Sequence, residues 1–252
     1  MVLRKLLSAF GVGVEVDTLL STPTVRPGGT LQGEVRFSSG KSDHRVTAIN
    51  LELVAEVEIE RDDTTRKASY SFFDARVAGE LELAAGSSHS VPFAIPVPWE
   101  TPVTTVNGHQ LYGMRLGVST ELELAGALDK GDLDPLHVEP LPAQAAVLDA
   151  LARLGFTFSG ADLEPGTVPG SRLPFYQEIE YWPGGRHRAS FKELELTFVT
   201  SPAGVDVILE ADKRGGFLSA GRDAVNRFHV PHAEHGDLTG LLTEQLELLA
   251  RR

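Results

Sequence analysis

The sequence contains no cysteine, which excludes disulfide staples, thiolate catalysis and sulfur-ligated zinc, and agrees with a reducing cytosol. Positive charge is scarce as well. Lys and Arg number 23 against 35 Asp and Glu, a net charge of -12, which argues against a general nucleic-acid binder because phosphate contact needs clustered cations. The same sign is repelled by anionic lipid. No apolar run is long enough to cross a bilayer, and no low-complexity segment is long enough to form a disordered tail. The common catalytic signatures are missing too: the sequence has no Gly-x-Ser-x-Gly elbow, no Gly-x-x-x-x-Gly-Lys phosphate loop and no His-Glu-x-x-His pair. Gly11-Val-Gly13 lacks the third glycine of a dinucleotide site.

What is present is period-two alternation, the mark of a sheet wetted on one face. It runs through residues 12–20, resumes over Thr30–Phe37, and is strongest from Ile49 to Glu60, where Ile49, Leu51, Leu53, Ala55, Val57 and Ile59 alternate with Asn50, Glu52, Glu56, Glu58 and Glu60. Arg61-Asp62-Asp63-Thr64 reads as a hairpin connection into Lys67–Arg76. Ser90–Trp99 carries Pro92, Pro96 and Pro98, and proline cannot donate to a ladder, so this is an edge strand or a strand end. Tyr112–Leu124 is a further long strand. The first half therefore predicts six or seven strands at sandwich spacing.

One short stretch breaks the pattern. Between Pro142 and Gly155, Ala143, Ala146, Val147, Ala150, Leu151 and Leu154 fall at steps of three and four, which places them on one helical face. Proline suits the first turn of a helix and glycine its end. Such a helix of about 13 residues spans ~20 Å, enough to join two β-rich halves or to cross over within a single α+β domain. Beyond it the runs Phe156–Phe158, Leu173–Trp182, Glu193–Val199 and Val205–Ala211 are strand-like, with Trp182-Pro183-Gly184-Gly185 as a turn. Residues 213–226 read as a loop and Arg227–His232 as a short last strand. Asp237 caps a terminal helix over Leu238–Ala250, whose apolar face is Leu238, Leu241, Leu242 and Leu249. At the other terminus Arg4 and Lys5 precede an apolar run too broken for an export signal. Leu3, Leu6, Leu7 and Phe10 share a helical face, which suits a small helix covering a sandwich end or weak peripheral membrane contact.

Six blocks occur in order: Gly11-Val-Gly-Val-Glu-Val-Asp-Thr-Leu-Leu20, Arg26-Pro-Gly-Gly-Thr-Leu-Gln-Gly-Glu-Val35, Ile95-Pro-Val-Pro-Trp-Glu-Thr-Pro102, Ala146-Val-Leu-Asp-Ala-Leu-Ala-Arg-Leu-Gly-Phe156, Leu173-Pro-Phe-Tyr-Gln-Glu-Ile-Glu180 and Ala211-Asp-Lys-Arg-Gly-Gly216. Together they resemble the bacterial sporulation-control proteins. That resemblance implies an arrestin-like, mainly β fold and a cytoplasmic regulatory or scaffolding role without a catalytic residue or cofactor. The fold expected is two tandem antiparallel β-sandwiches joined by a short α-helix, with a C-terminal helix. The parts are a first sandwich over 1–138, a connecting helix over 139–155, and a second sandwich with its terminal helix over 156–252. The expected partners are other proteins, with no nucleic acid; exposed edges, the Pro-rich stretch 92–102 and the terminal helix are the places to look. No motif corresponds to the phosphate-sensing cluster of true arrestins.

Three patterns invite chemistry. Asp129, Asp132 and Asp134 could supply oxygens to a hard cation, but the spacing is wrong for an EF-hand and a solvated acidic turn is the simpler reading. His229, His232 and His235 recur every third residue, yet Pro231 argues against the helix that would bring them together. The pairs Glu178/Glu180 and Glu193/Glu195 also describe any wetted sheet face. Tyr176 and Trp182 lie on that acidic side, whereas Tyr181 shares the apolar side with Ile179; exposed rings would suit a carbohydrate-binding module, and a β-sandwich hydrolase or carbohydrate binder is the alternative function.

Overall fold

The computed structural model describes residues 13–22, 24–61, 64–213, 223–234 and 236–251. The apolar face expected of Leu3, Leu6, Leu7 and Phe10, the tip residues Asp62 and Asp63, and His235 lie outside the described residues.

In the first half, β1 (Val14–Leu20), β3 (Thr30–Ser39) and β7 (Ser88–Pro96) form a three-stranded antiparallel sheet in the order β1-β3-β7. The Pro-bearing strand is thus an edge, where two missing N–H donors cost nothing. A second sheet lies opposite: β2 (Thr24–Val25), β11 (Lys130–Val138), β10 (Leu116–Leu124), β4 (His44–Arg61) and β5 (Thr64–Ala78), with β6 (Leu81–Leu83) on β4. The small hairpin β8 (Thr105–Val106) and β9 (His109–Gln110) completes the half. Among the described residues eleven strands stand where six or seven are expected; β2, β8 and β9 are two-residue pairings that leave no alternation to read. The alternation itself holds: Leu31, Val35 and Phe37 from one sheet and Leu51, Leu53, Val118 and Leu122 from the other share one core.

The helix α1 (Pro142–Arg153) follows the predicted bounds, with Leu154 as C-cap and Gly155 at φ 89°. Of its expected apolar stripe Ala143, Ala146, Val147, Ala150 and Leu151 are buried, joined by Leu148 and Gln144, whereas Leu154 is only half-buried. The Gln144 amide oxygen accepts the Leu141 N–H at 2.9 Å, so a side chain in the first turn satisfies the donor just before it. The second half is an antiparallel meander of β12 (Thr157–Pro165), β13 (Phe175–Trp182), β14 (Phe191–Ser201), β15 (Gly204–Lys213) and β16 (Asp223–Pro231). The helix α2 (Thr239–Arg251) ends it, with the Asp237 carboxylate accepting the Thr239 N–H at 2.9 Å as the cap predicts. Residues 223–226, read as loop, belong to β16. Leu246 joins Leu238, Leu242 and Leu249 in the buried face of α2, whereas Leu241 is only half-buried.

The expected second sandwich has its first sheet but a different cover. Among the described residues the inner face of β12–β16 is closed by α1 and α2, which pack on β15 and β16, and by the β4–β5 hairpin at the β12 side. The reason lies in the length of β4. Its first part covers the three-stranded sheet; its far end reaches past that sheet to β12, and Tyr70 and Phe72 of β5 meet Phe175 edge-on with ring centroids 6.2 and 5.7 Å apart. The buried apolar residues of both halves consequently form one continuous cluster.

Candidate functional site

Two places bring together residues of chemical interest: the joint between the halves and the outer face of the five-stranded sheet. At the joint the Pro-rich segment after β7 is not a free surface. Toward the first half, the Val97 N–H donates to Gly29 O at 2.9 Å and the Thr104 N–H to Val138 O at 2.9 Å. Toward the second, the buried Gln177 amide holds Val103 by both groups, accepting its N–H at 3.0 Å and donating to its carbonyl at 2.7 Å. The Glu100 carboxylate accepts the Ser171 hydroxyl at 2.7 Å and the Arg172 N–H at 2.8 Å. The Trp99 ring stacks on His232 with centroids 5.2 Å apart. Glu100, Gln144, Ser171, Gln177 and Thr200 line a cavity of about 20 Å³, room for roughly one water. The stretch 92–102, singled out for docking, is therefore split: residues 92–96 form an exposed strand edge, and 97–102 are occupied in holding the halves together.

The second place is the face of β12–β16 turned away from the helices. Register sets its character. Glu180 lies directly across from Glu195, and Glu195 from Glu210, on three adjacent strands; Asp162 lies across from Glu178, and Glu164 from Tyr176. Like charges placed directly opposite repel. One oxygen from each of Asp162, Glu164 and Glu178 lies within 4.8 Å of the others, close enough to ligate a hard cation. The Tyr176 hydroxyl donates to Glu164 at 2.9 Å. Cations stand at the rim, where Lys192 pairs with Asp212 at 3.0 Å and Arg227 with Asp206 at 2.6 Å.

The crowding raises proton affinity. Partial burial, and then the Glu195 charge, push the Glu178 carboxyl up to about 8; burial followed by Glu210 pushes Glu195 up to about 7. Glu193 is raised by burial and by Glu180. Groups this close titrate as a set. A carboxyl whose folded pKa lies above its unfolded value destabilises the folded state fully above the folded pKa, and that cost disappears as pH falls toward the unfolded pKa. Glu178→Gln is therefore expected to raise the melting temperature at pH 9 and leave it unchanged at pH 4. Discounted for solvent screening, the gain is about 1 kcal/mol, or ~2–4 °C for a chain of this size. A difference between variant and parent that stays constant across that pH range would contradict the assignment.

The structure disperses the other candidates. Asp132 and Asp134 are not in a turn but in β11, where Asp132 accepts the Thr18 N–H of β1 at 2.9 Å. Asp129 accepts the Leu124 N–H at 3.0 Å and so closes the β10–β11 connection. The acidic turn becomes a strand because its aspartates answer backbone donors that a turn would leave to water. His229 pairs with Asp206 at 2.7 Å on the outer face, while His232 contacts Ser201 O at 2.8 Å beside Trp99. Tyr181 is buried as expected, and Trp182 is 55% exposed at the end of β13. Asp162 and Glu164 were not anticipated, since the strand was read as ending at Phe158. The signal was there in Ala161-Asp162-Leu163-Glu164, which continues the alternation.

A sandwich, a helix at the seam and a helix-backed sheet with an acidic outer face define a mainly β protein built from several antiparallel sheets and two short helices. The comparisons then identify the family. The family described as "Spo0M: SpoOM protein" matches residues 3–215. The sporulation-control protein Spo0M of Bacillus subtilis (strain 168) is 34% identical over 213 residues, covering 84% of this chain and 80% of that protein. The crystal structure of Spo0M, sporulation control protein, from Bacillus subtilis superposes with a TM-score of 0.82 at 30% identity, over 95% of this chain and 100% of that one. The chain belongs to the Spo0M sporulation-control protein family.

Proposed function

We propose that the protein is a non-enzymatic cytoplasmic regulator that works as a scaffold, through contacts with other proteins. Its two modules, 1–138 and 156–252 joined by 139–155, stand in an arrestin-like tandem in which the second sheet is backed by helices. The observation that carries this reading is the acidic outer face of β12–β16. It spans adjacent strands of one sheet backed by the helices and by the first half, and its charge suits a partner protein bearing a complementary basic surface. Regulatory function agrees with the name of the Bacillus subtilis relative. Among the described helices none is long and apolar enough to cross a membrane.

Affinity capture from native lysate with paired variants tests the reading. Proteins retained by the parent and by Glu121→Lys, an exposed site on the first half, are expected to be lost from the double variant Glu180→Lys, Glu195→Lys. Identical captured sets from all three forms would remove the face from the argument. A second reading draws on the exposure of Trp182 beside the same face, which suits sugar stacking. Glycan-array binding abolished by Trp182→Ala, or a hydrolytic activity lost with one carboxylate, would replace the scaffold reading with a carbohydrate binder or a hydrolase.

A further inference from the structure

The strand β13 returns to β14 through a 3-10 turn, Gly185–Ala189, that carries an unusual side chain. His187 is only 7% exposed. Its ring lies 5.0 Å from the ring of Phe156, which follows the Leu154-Gly155 end of α1, and stacks parallel to Phe191 of β14 at 6.2 Å. Its Nε2 is buried with no hydrogen-bond partner among the described residues. A polar group in such a place normally finds a partner, and an imidazolium would cost far more than the neutral ring. The turn is also pressed against the end of α1. A Cβ on Gly184 would stand 1.9 Å from the carbonyl oxygen of Gly155, so the two backbones touch where only glycine fits.

The elements that meet at the turn carry these charged groups: Arg186 and Arg188 on the turn itself, Glu247 and Arg251 on α2, Arg153 at the end of α1 and Lys192 next to Phe191 on β14. Arg188 is turned to Pro183 O at 3.3 Å, Arg153 to Asp237 at 3.2 Å, Lys192 to Asp212 at 3.0 Å and Arg251 to Glu247 at 3.6 Å. Arg186 and Glu247 bear on the ring itself, with opposite signs. They also reach each other at 3.9 Å, which ties the turn to α2.

We propose that His187 makes this turn an acid-sensitive latch: neutral, it closes the ends of α1 and α2 over the five-stranded sheet, and on protonation it withdraws from the two phenyl rings and the turn opens. Burial, and then Arg186, hold the imidazole below its ordinary value of 6.5. The closed turn therefore excludes a proton that the open turn accepts, so it is fully stable above 6.5 and weakens as pH falls below it. Between the open-state and closed-state pKa values the open fraction rises about tenfold per pH unit. The latch acts at the helix ends, independently of what binds the acidic face.

Hydrogen exchange and NMR of the full chain test this directly. Protection factors of amides 184–191, corrected for intrinsic exchange, are expected to fall about tenfold per pH unit below 6.5 until the closed-state pKa is reached, while those of the β10 amides do not follow. His187→Phe should abolish the dependence. The imidazole signal of His187 should titrate below 6.5, upward-shifted in Arg186→Gln and downward-shifted in Glu247→Gln, with the pH at which the fall in protection levels off moving alongside. These two exposed changes keep the test sharp even if His187→Phe fails to fold. Titration at or above 6.5, or protection at 184–191 that is flat with pH in the parent, overturns the latch.

Discussion

Gly113→Ala is expected to cost about 2–5 kcal/mol of unfolding free energy and to loosen the two halves from each other. Gly113 sits at φ 97°, in the left-handed region, and a Cβ there would stand 1.9 Å from the backbone oxygen of Ala161 on β12. The left-handed conformation alone costs a residue with a Cβ ~1–2 kcal/mol, and overpacking against a fixed group adds ~1–3. The obstacle is backbone, not the end of a flexible side chain, so relief requires β12 to move. That movement would break the Ala161 N–H bond to Tyr112 O, 3.2 Å long, which ties the halves directly. On either side Leu111 and Met114 are buried, so the segment cannot retreat without opening the core. Gly126→Ala is the matching control: it has φ 70° with nothing within 4 Å of the added carbon, and should lose only the conformational part. Urea unfolding of both variants separates the two contributions. Equal losses would show that the seam at 113 and 161 is not closed in solution.

That seam shows where sequence reading stops. Alternation reveals which way a strand faces, because the period is a property of the strand itself; α1 is equally legible, since its stripe, its Pro142 and its Gly155 all lie within fifteen residues. The joint has no such local signature. Gln177 grips Val103 across 74 positions, and nothing near either residue marks the other. Trp99, Phe175 and Gln177 come from two of the blocks that resemble the sporulation-control proteins, and Val103 directly follows the first of them, yet their meeting depends on where β4 and β13 travel. The acidic face divides in the same way. Its polarity is visible in Glu178, Glu180, Glu193 and Glu195, but its proton affinity comes from burial and then from register, which sets Glu180, Glu195 and Glu210 side by side on separate strands. Asp132 illustrates the opposite error. An inward aspartate looks like a turn residue until β1 supplies the N–H of Thr18 for it to accept.

Leu151→Ala should be the most damaging truncation in α1, at about 2–5 kcal/mol. Leu151 is fully buried on the stripe that faces the second half. Its carbonyl also accepts the Phe156 N–H at 3.0 Å, which turns the chain from the helix into β12. The substitution keeps that backbone bond and removes only the packing, so the loss measures the cavity. Asp149→Ala, exposed on the opposite side of the same helix, should change stability by less than about 0.5 kcal/mol, which separates burial from helix propensity. Because the buried residues of the two halves are continuous, the loss should be felt in both halves together. The two tryptophans allow this to be seen: Trp99 lies in the seam and Trp182 at the far end of β13. In a Trp182→Phe background, fluorescence of Trp99 should report the same lowered urea midpoint as the circular dichroism of the whole chain. A Trp99 transition that stays at the parent midpoint while the dichroism splits would mean that α1 stabilises the second half alone, and that the seam joins two independently folding units.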